Sequence, residues 1–180
     1  MIRILRIETA TAGRTAPARA LTNRILSDLT AAHPGASVRL RDLTGGLPPV
    51  TAAWREAVAL AAEARDDDQC SLIALTDRLG REVDGADLLL VGVEVQTGSL
   101  PAPLKAWIDH MARGGAGLAR TGRAGALAGK RVILAVAEED EAKPDADFAT
   151  PYLLHILSRM GAASVEVVTP DAIPAQGLAA

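Results

Sequence analysis

The chain has 180 residues, 49% of them hydrophobic, enough to bury a core without staples, and the length fits a single domain spanning residues 1–180. Nineteen basic against 22 acidic residues give a net charge of -3, too mild to attract nucleic acid or an anionic membrane; one Phe, one Tyr and two Trp leave no platform for single strands. Cys70 is the only cysteine, so no intramolecular disulfide can form, and it is expected to be a packing residue.

Ile2 to Ile7 reads as a strand with basic residues inside it rather than as a signal peptide, and no segment has the length of a membrane span, so a cytoplasmic location is expected. A loop over Glu8 to Thr15 precedes a helix with Leu21, Ile25 and Leu29 on one face; Thr15 is expected to cap it and Pro17 to lie in its first turn. Pro34-Gly35 ends that helix, Ser37 to Leu40 forms a second strand, and Gly45-Gly46 with Pro48-Pro49 makes an irregular crossing. Two helical stretches follow, the second with Leu72, Leu75 and Leu79 in register, and lead to the apolar strand Leu88 to Val93.

After Pro101, Leu104, Trp107, Ile108 and Met111 mark a helix. The glycine-rich stretch Gly114 to Gly129 is either an ordered excursion over a partner's site or a flexible loop, and it leads into the strand Val132 to Val136. A helix from about Phe148 to Met160 and a strand from Ala163 to Val168 complete the pattern. Strands alternating with helices imply a flavodoxin-like α/β sandwich, a five-stranded parallel sheet of order 2-1-3-4-5, with ligands at the carboxyl ends of strands one, three and four.

Three stretches carry a resemblance: Arg41-Asp42-Leu43 with Pro48-Pro49-Val50, the run from Leu100 to Asp109, and Thr150-Pro151-Tyr152-Leu153-Leu154. Together with Met111-Ala112-Arg113-Gly114 they resemble the FMN-dependent NADH azoreductases, a branch of the flavodoxin-like quinone reductases. The resemblance implies a homodimer with active sites at the subunit interface, bound FMN, and hydride transfer from NAD(P)H to quinones or azo dyes.

Three segments depart from that family and make this chain read as a divergent member with altered FMN-binding motifs. Where the family places a Ser-x-Ser pair for the FMN phosphate, the chain has Ala16 and Ala18 around Pro17, which lacks an N–H; Thr9, Thr11, Arg14, Thr15 and Arg19 stand nearby as a substitute. The family's Pro and Met-Tyr-Asn-Phe along the flavin ring become Glu94 and Val95-Gln96-Thr97-Gly98. Its Ser-Arg-Gly-Gly at the pyrimidine edge becomes Ala137-Glu138-Glu139-Asp140, continuing to Glu141, and acidic groups there oppose a reduced, anionic flavin.

The acidic run is read either as a solvated loop or, with Glu94, as carboxylates converging on one pocket. Convergent carboxylates separate in pKa and can act as acid and base. The leading expectation is therefore an enzyme without cofactor, acting on a planar or polycyclic small molecule by cyclisation, dehydration or isomerisation. Glu94, Glu138, Glu139 and Asp140 would be catalytic; Thr9, Thr11, Arg14, Thr15, Val95, Gln96, Thr97, Gly98 and Ala137 would bind substrate or cofactor. The first alternative is an FMN-dependent NAD(P)H oxidoreductase reducing quinones or azo compounds, and the second a non-catalytic binding or scaffold dimer.

No metal-ligand spacing links His33, His110 and His155, so no metal is expected. His110 is expected at the surface or a dimer contact, Asp109 and Arg113 as an intrahelical ion pair, and Trp54 and Trp107 in the core. No Gly-x-Ser-x-Gly elbow, Walker loop or Cys-x-x-Cys pair is present.

Overall fold

The computed structural model describes residues 1–9, 16–113, 117–118, 124–138 and 147–172. The chain runs β1 (Arg3–Glu8), α1 (Pro17–Ala32), β2 (Ser37–Asp42), α2 (Ala52–Ala59), α3 (Asp67–Asp84), β3 (Leu88–Val95), α4 (Ala102–Ala112), β4 (Arg131–Glu138), α5 (Ala149–Arg159) and β5 (Ser164–Val168). All strand pairs are parallel and the order is β2-β1-β3-β4-β5, as the alternation predicts. Hydrophobicity sets the order from centre to edge: every residue of β3 is buried, whereas β2, at the edge, is nearly all exposed, including Val38 at 43% and Leu40 at 56%.

Period-two alternation divides the sheet into two faces. Leu5, Ile7, Val91, Val93, Leu134 and Val136 pack beneath α3, α4 and α5. Ile4, Leu88, Leu90, Ile133 and Ala135 pack against Leu21, Ile25 and Leu29 of α1. Trp107 lies in the first core and Trp54, on α2, in a smaller cluster with Ala57 and Ile73.

Local chemistry fixes the helix ends. Asp66 accepts from the Gln69 backbone N–H, and the Gln69 side chain accepts from the Asp66 N–H, a reciprocal box that starts α3. Pro17 is in the first turn of α1, as expected, but the cap position belongs to Ala16, and Thr15 lies outside the described residues.

Four expectations need correction. The buried stripe of α3 is Ile73, Thr76, Leu79 and Val83, with Leu72 43% exposed, because the polar Thr76 finds hydrogen-bond partners that admit it to the interior. Cys70 is exposed on the outer side of that helix. Asp109 pairs with Lys105 at 2.7 Å rather than with Arg113; at the end of α4, Arg113 turns left-handed (φ 44°) and reaches Asp77 of α3 at 3.0 Å.

His110 is the fourth. It is 2% exposed, not a surface group. Its Nε2 is 2.9 Å from the Pro48 carbonyl, which can only accept, so Nε2 carries a proton. The Thr76 hydroxyl receives the Trp54 indole N–H at 2.8 Å and lies 2.7 Å from His110 Nδ1, to which it donates. Trp54 also meets the imidazole edge-on, with ring centroids 5.6 Å apart. One neutral relay thus ties α2, α3, α4 and the crossing after β2.

Candidate functional site

β1, β3 and β4 end side by side, and β1 delivers a buried charge cluster there. Glu8 is 1% exposed; Arg6 Nε donates to its Oε1 at 2.5 Å, and the Thr22 hydroxyl donates to the same oxygen at 2.6 Å. Arg6 Nη2 also donates to the Thr22 hydroxyl at 2.8 Å. The other carboxylate oxygen stands 3.9 Å from Arg19 Nε, in the first turn of α1, and Arg19 Nη2 is 4.0 Å from Asp42. Two hydrogen bonds from Thr44, side chain and then backbone, hold the Asp42 carboxyl below its usual pKa. Arg19 is therefore held between two carboxylates at distances that leave its guanidinium able to take another partner.

Gly92 of β3 makes room for this cluster: a Cβ there would stand 3.1 Å from Thr22 Cγ2 and 3.2 Å from Glu8 Oε2. Thr9, fully buried, donates its hydroxyl to the Gly92 carbonyl at 2.7 Å, which ties the end of β1 to β3.

β3 ends in a tight turn. Gln96 and Ser99 exchange backbone hydrogen bonds of 3.1 and 2.9 Å, and the two central residues, Thr97 (φ 48°) and Gly98 (φ 74°), are both left-handed. Glycine takes that conformation freely; the β-branched Thr97 is strained there by about 1–2 kcal/mol. The Gly98 carbonyl accepts the Phe148 N–H at 2.9 Å, so the turn also anchors the start of α5.

The sheet register decides which expected site residues meet. Glu94 pairs with Ala137, and Val95 with Glu138. Glu94 and Ala137 therefore face the α1 side and Val95 and Glu138 the α4–α5 side, so Glu94 and Glu138 point to opposite faces and do not converge. Glu94 is fully buried, Glu138 half-buried, Ala137 buried, and Val95 belongs to the core rather than to a cavity wall. Gln96 is half-buried and Thr97 exposed at the turn. Thr11, Arg14, Thr15, Glu139, Asp140 and Glu141 lie outside the described residues, as does half of the stretch from Gly114 to Gly129. Sequence reasoning missed Arg6, Glu8 and Thr22; the available signal was two opposite charges on the inward face of an otherwise apolar strand.

A cavity of about 380 Å³ between the ends of α3 and α4 is lined by Thr76, Asp77, Gly80, Met111 and Arg113. Those helix ends lead into the amino ends of β3 and β4, opposite the site, and the Arg113–Asp77 pair spans the cavity wall. Among the described residues no cluster of three or more metal-ligating side chains occurs, and no helix is long and apolar enough to cross a membrane.

The site has the features that a flavin phosphate requires. Among the described residues no side chain caps the 16-residue α1, and its first turn carries no acidic residue, so the N–H groups of Ala18 and Arg19 and the helix dipole point to where an anion would sit, with the Arg19 guanidinium beside them. Ala16 and Ala18 are buried, so loss of hydroxyls at these positions removes two donors without blocking the backbone ones.

The flavodoxin-like fold model matches residues 2–179. A protein of Jannaschia sp. (strain CCS1) named FMN-dependent NADH:quinone oxidoreductase 1 is 39% identical over 174 residues, covering 95% of this chain and 88% of that one. A relative of the same activity from Cereibacter sphaeroides (strain KD131 / KCTC 12085) is 37% identical, covering 95% and 89%. Among solved structures, an azoreductase from Bacillus anthracis str. Sterne superposes with a TM-score of 0.79 at 22% identity, over 94% of this chain and 86% of that one. An FMN-dependent NADH-azoreductase from Bacillus anthracis str. Ames Ancestor, in complex with FMN, superposes with a TM-score of 0.75 at 13% identity, over 94% and 86%. The chain belongs to the flavodoxin-like family that contains these FMN-dependent NADH:quinone oxidoreductases.

These relatives overturn three expectations. A cofactor-free enzyme working by carboxylate acid/base chemistry does not stand: relatives aligned over nearly the whole chain are FMN-dependent, and Glu94 and Glu138 face apart. The reading of the chain as a divergent member with a degenerate flavin site fails as well. The physical reason is that helix-end and turn backbone can hold a phosphate and a ring edge whatever the side chains, so three rewritten segments do not amount to a lost cofactor.

Proposed function

We propose that this chain is an FMN-dependent NADH:quinone oxidoreductase that also accepts azo compounds, and that it works as a homodimer with its site at the subunit boundary. The observation that carries the reading is the 39% identity to the Jannaschia quinone oxidoreductase over 95% of this chain. The uncapped start of α1 supports it independently.

In this reading the first N–H groups of α1 hold the phosphate together with Arg19, and Thr11, Arg14 and Thr15 complete the loop. Glu8, fixed by Arg6 and Thr22, orients Arg19 as an ion pair at 3.9 Å, a distance that leaves the guanidinium N–H groups without a hydrogen bond to that carboxylate. Backbone groups of Gln96, Thr97, Gly98 and Ala137 would hold the ring edge, and Thr9 keeps the ends of β1 and β3 together. FMN held there would supply the redox chemistry, carrying two electrons from NADH to an acceptor that also takes up two protons, one of them from solvent. The protein's part is to bind, orient and keep water from the reduced ring.

The visible spectrum of the purified protein and a titration with FMN test this. A bound yellow chromophore that NADH bleaches and a quinone restores is the expected outcome. A colourless protein that leaves FMN fluorescence unchanged would overturn the reading, and a monomer in sedimentation would overturn the dimer.

A further inference from the structure

Phe148, the chain's only phenylalanine, is 70% exposed, the most exposed large hydrophobic after Met1 among the described residues. It is nevertheless held firmly. Its N–H donates to the Gly98 carbonyl at 2.9 Å, and the preceding Asp147 accepts from the Ala149 and Thr150 N–H groups at 2.8 and 3.0 Å, fixing the start of α5. One turn further on, Tyr152 packs against the core beneath α4 and α5, and its burial raises the pKa of its hydroxyl. An aromatic side chain on a fixed stretch of backbone is thus kept in water, one hydrogen bond from the turn that closes the site, whose residue 98 has no side chain of its own.

We infer that Phe148 is a specificity-determining residue, providing the aromatic surface on which a planar acceptor such as a quinone stacks at the rim of the site. The inference rests on the proposed quinone reductase function. Rings stack offset or edge-on with favourable energy beyond the area they bury, and a phenylalanine on a fixed backbone has only two side-chain torsions to order in doing so. Nonplanar or small acceptors gain nothing from it, so the residue separates planar acceptors from others by affinity rather than by rate.

Isothermal titration of the purified dimer with 2-methyl-1,4-naphthoquinone, with and without added FMN, compares wild type with F148A, F148L and F148W. The expected result is roughly tenfold weaker quinone binding in F148A, a smaller loss in F148L and recovery in F148W, with FMN affinity within about twofold of wild type throughout. In turnover the loss should fall on the quinone KM rather than on kcat. Equal quinone affinity in F148A overturns the inference, as does a wild type that binds no quinone. Parallel loss of FMN would instead make the ring part of the cofactor cradle, and dissociation of F148A in sedimentation would make it a subunit contact; either result overturns it. A wild type that binds quinone but not FMN overturns the proposed function, while the titration without FMN still decides the role of Phe148.

Discussion

Two of the polar networks buried among the described residues differ in charge and in what they serve. Trp54, Thr76, His110 and the Pro48 carbonyl form a neutral relay on the α3–α4 side, in which each donor meets an acceptor at 2.7–2.9 Å. Arg6, Glu8, Thr22 and Arg19 form a charged one on the α1 side, tight at 2.5–2.6 Å around one carboxylate oxygen and loose at 3.9 Å around the other. The satisfied relay joins helices and belongs to stability. The charged cluster is incompletely matched where it meets the site, as a group waiting for an anionic partner would be.

The largest expected effect comes from breaking the charged cluster. Glu8→Ala leaves Arg6 buried without its counter-ion and should lower the unfolding free energy by about 3–5 kcal/mol in urea denaturation, while also weakening FMN binding through Arg19. The double change Arg6→Met with Glu8→Leu should recover most of that stability but not the FMN affinity, since an apolar pair replaces a buried ion pair at little cost. If FMN affinity returned with stability, the cluster would be structural only.

Thr76→Val tests the neutral relay. It strands the Trp54 indole N–H and His110 Nδ1 and should cost about 1–3 kcal/mol, with FMN affinity unchanged in fluorescence titration. A loss of FMN affinity comparable with that of Glu8→Ala would erase the distinction between the networks.

Gly92→Ala pushes a methyl between Thr22 and Glu8 and is expected to cost about 1–2 kcal/mol, with a modest decline in FMN affinity. A neutral result in both assays would mean that the cluster yields more readily than its short hydrogen bonds suggest.

The smallest effect separates buried from surface charge. Asp87 is exposed, and the Arg3 side-chain and backbone hydrogen bonds hold its carboxyl well below the usual carboxylate pKa. Its stabilising contribution is therefore complete above the unfolded pKa of about 4 and is lost as pH falls through the lower folded value. Asp87→Asn should flatten the acid limb of a stability–pH curve slightly, and salt should shrink the difference. An equal acid limb in the variant would show that this surface pair contributes nothing measurable.

Much of the fold was legible because it is written in short-range pattern. The continuous apolar run of β3, the i, i+3, i+4 stripe of α4 and the Pro34-Gly35 stop report directly on burial and chain reversal. The site was less legible because it depends on which side of a strand a residue faces after pairing. Glu94 and Glu138 look like neighbours along two adjacent strands, and only the register Glu94↔Ala137 separates them. His110 and Thr76 are 34 positions apart, and nothing local signals that each supplies what the other needs. Arg6 and Glu8 could have been found, since alternation puts them on the same face as Ile4.

The exposed β2 strand bears on how the protein behaves at high concentration. An unpaired edge carrying Val38 and Leu40 is a template on which further strands can add, the first step of ordered aggregation. Arg39, exposed between them on the strand, interrupts that apolar pair, whereas Arg41 is paired with Glu82, and stacking copies edge to edge would bring the Arg39 charges together as water is expelled. Colloidal stability of this molecule thus draws on one exposed arginine of the edge strand, and Arg39→Thr is expected to raise ordered aggregation at high concentration, read by light scattering.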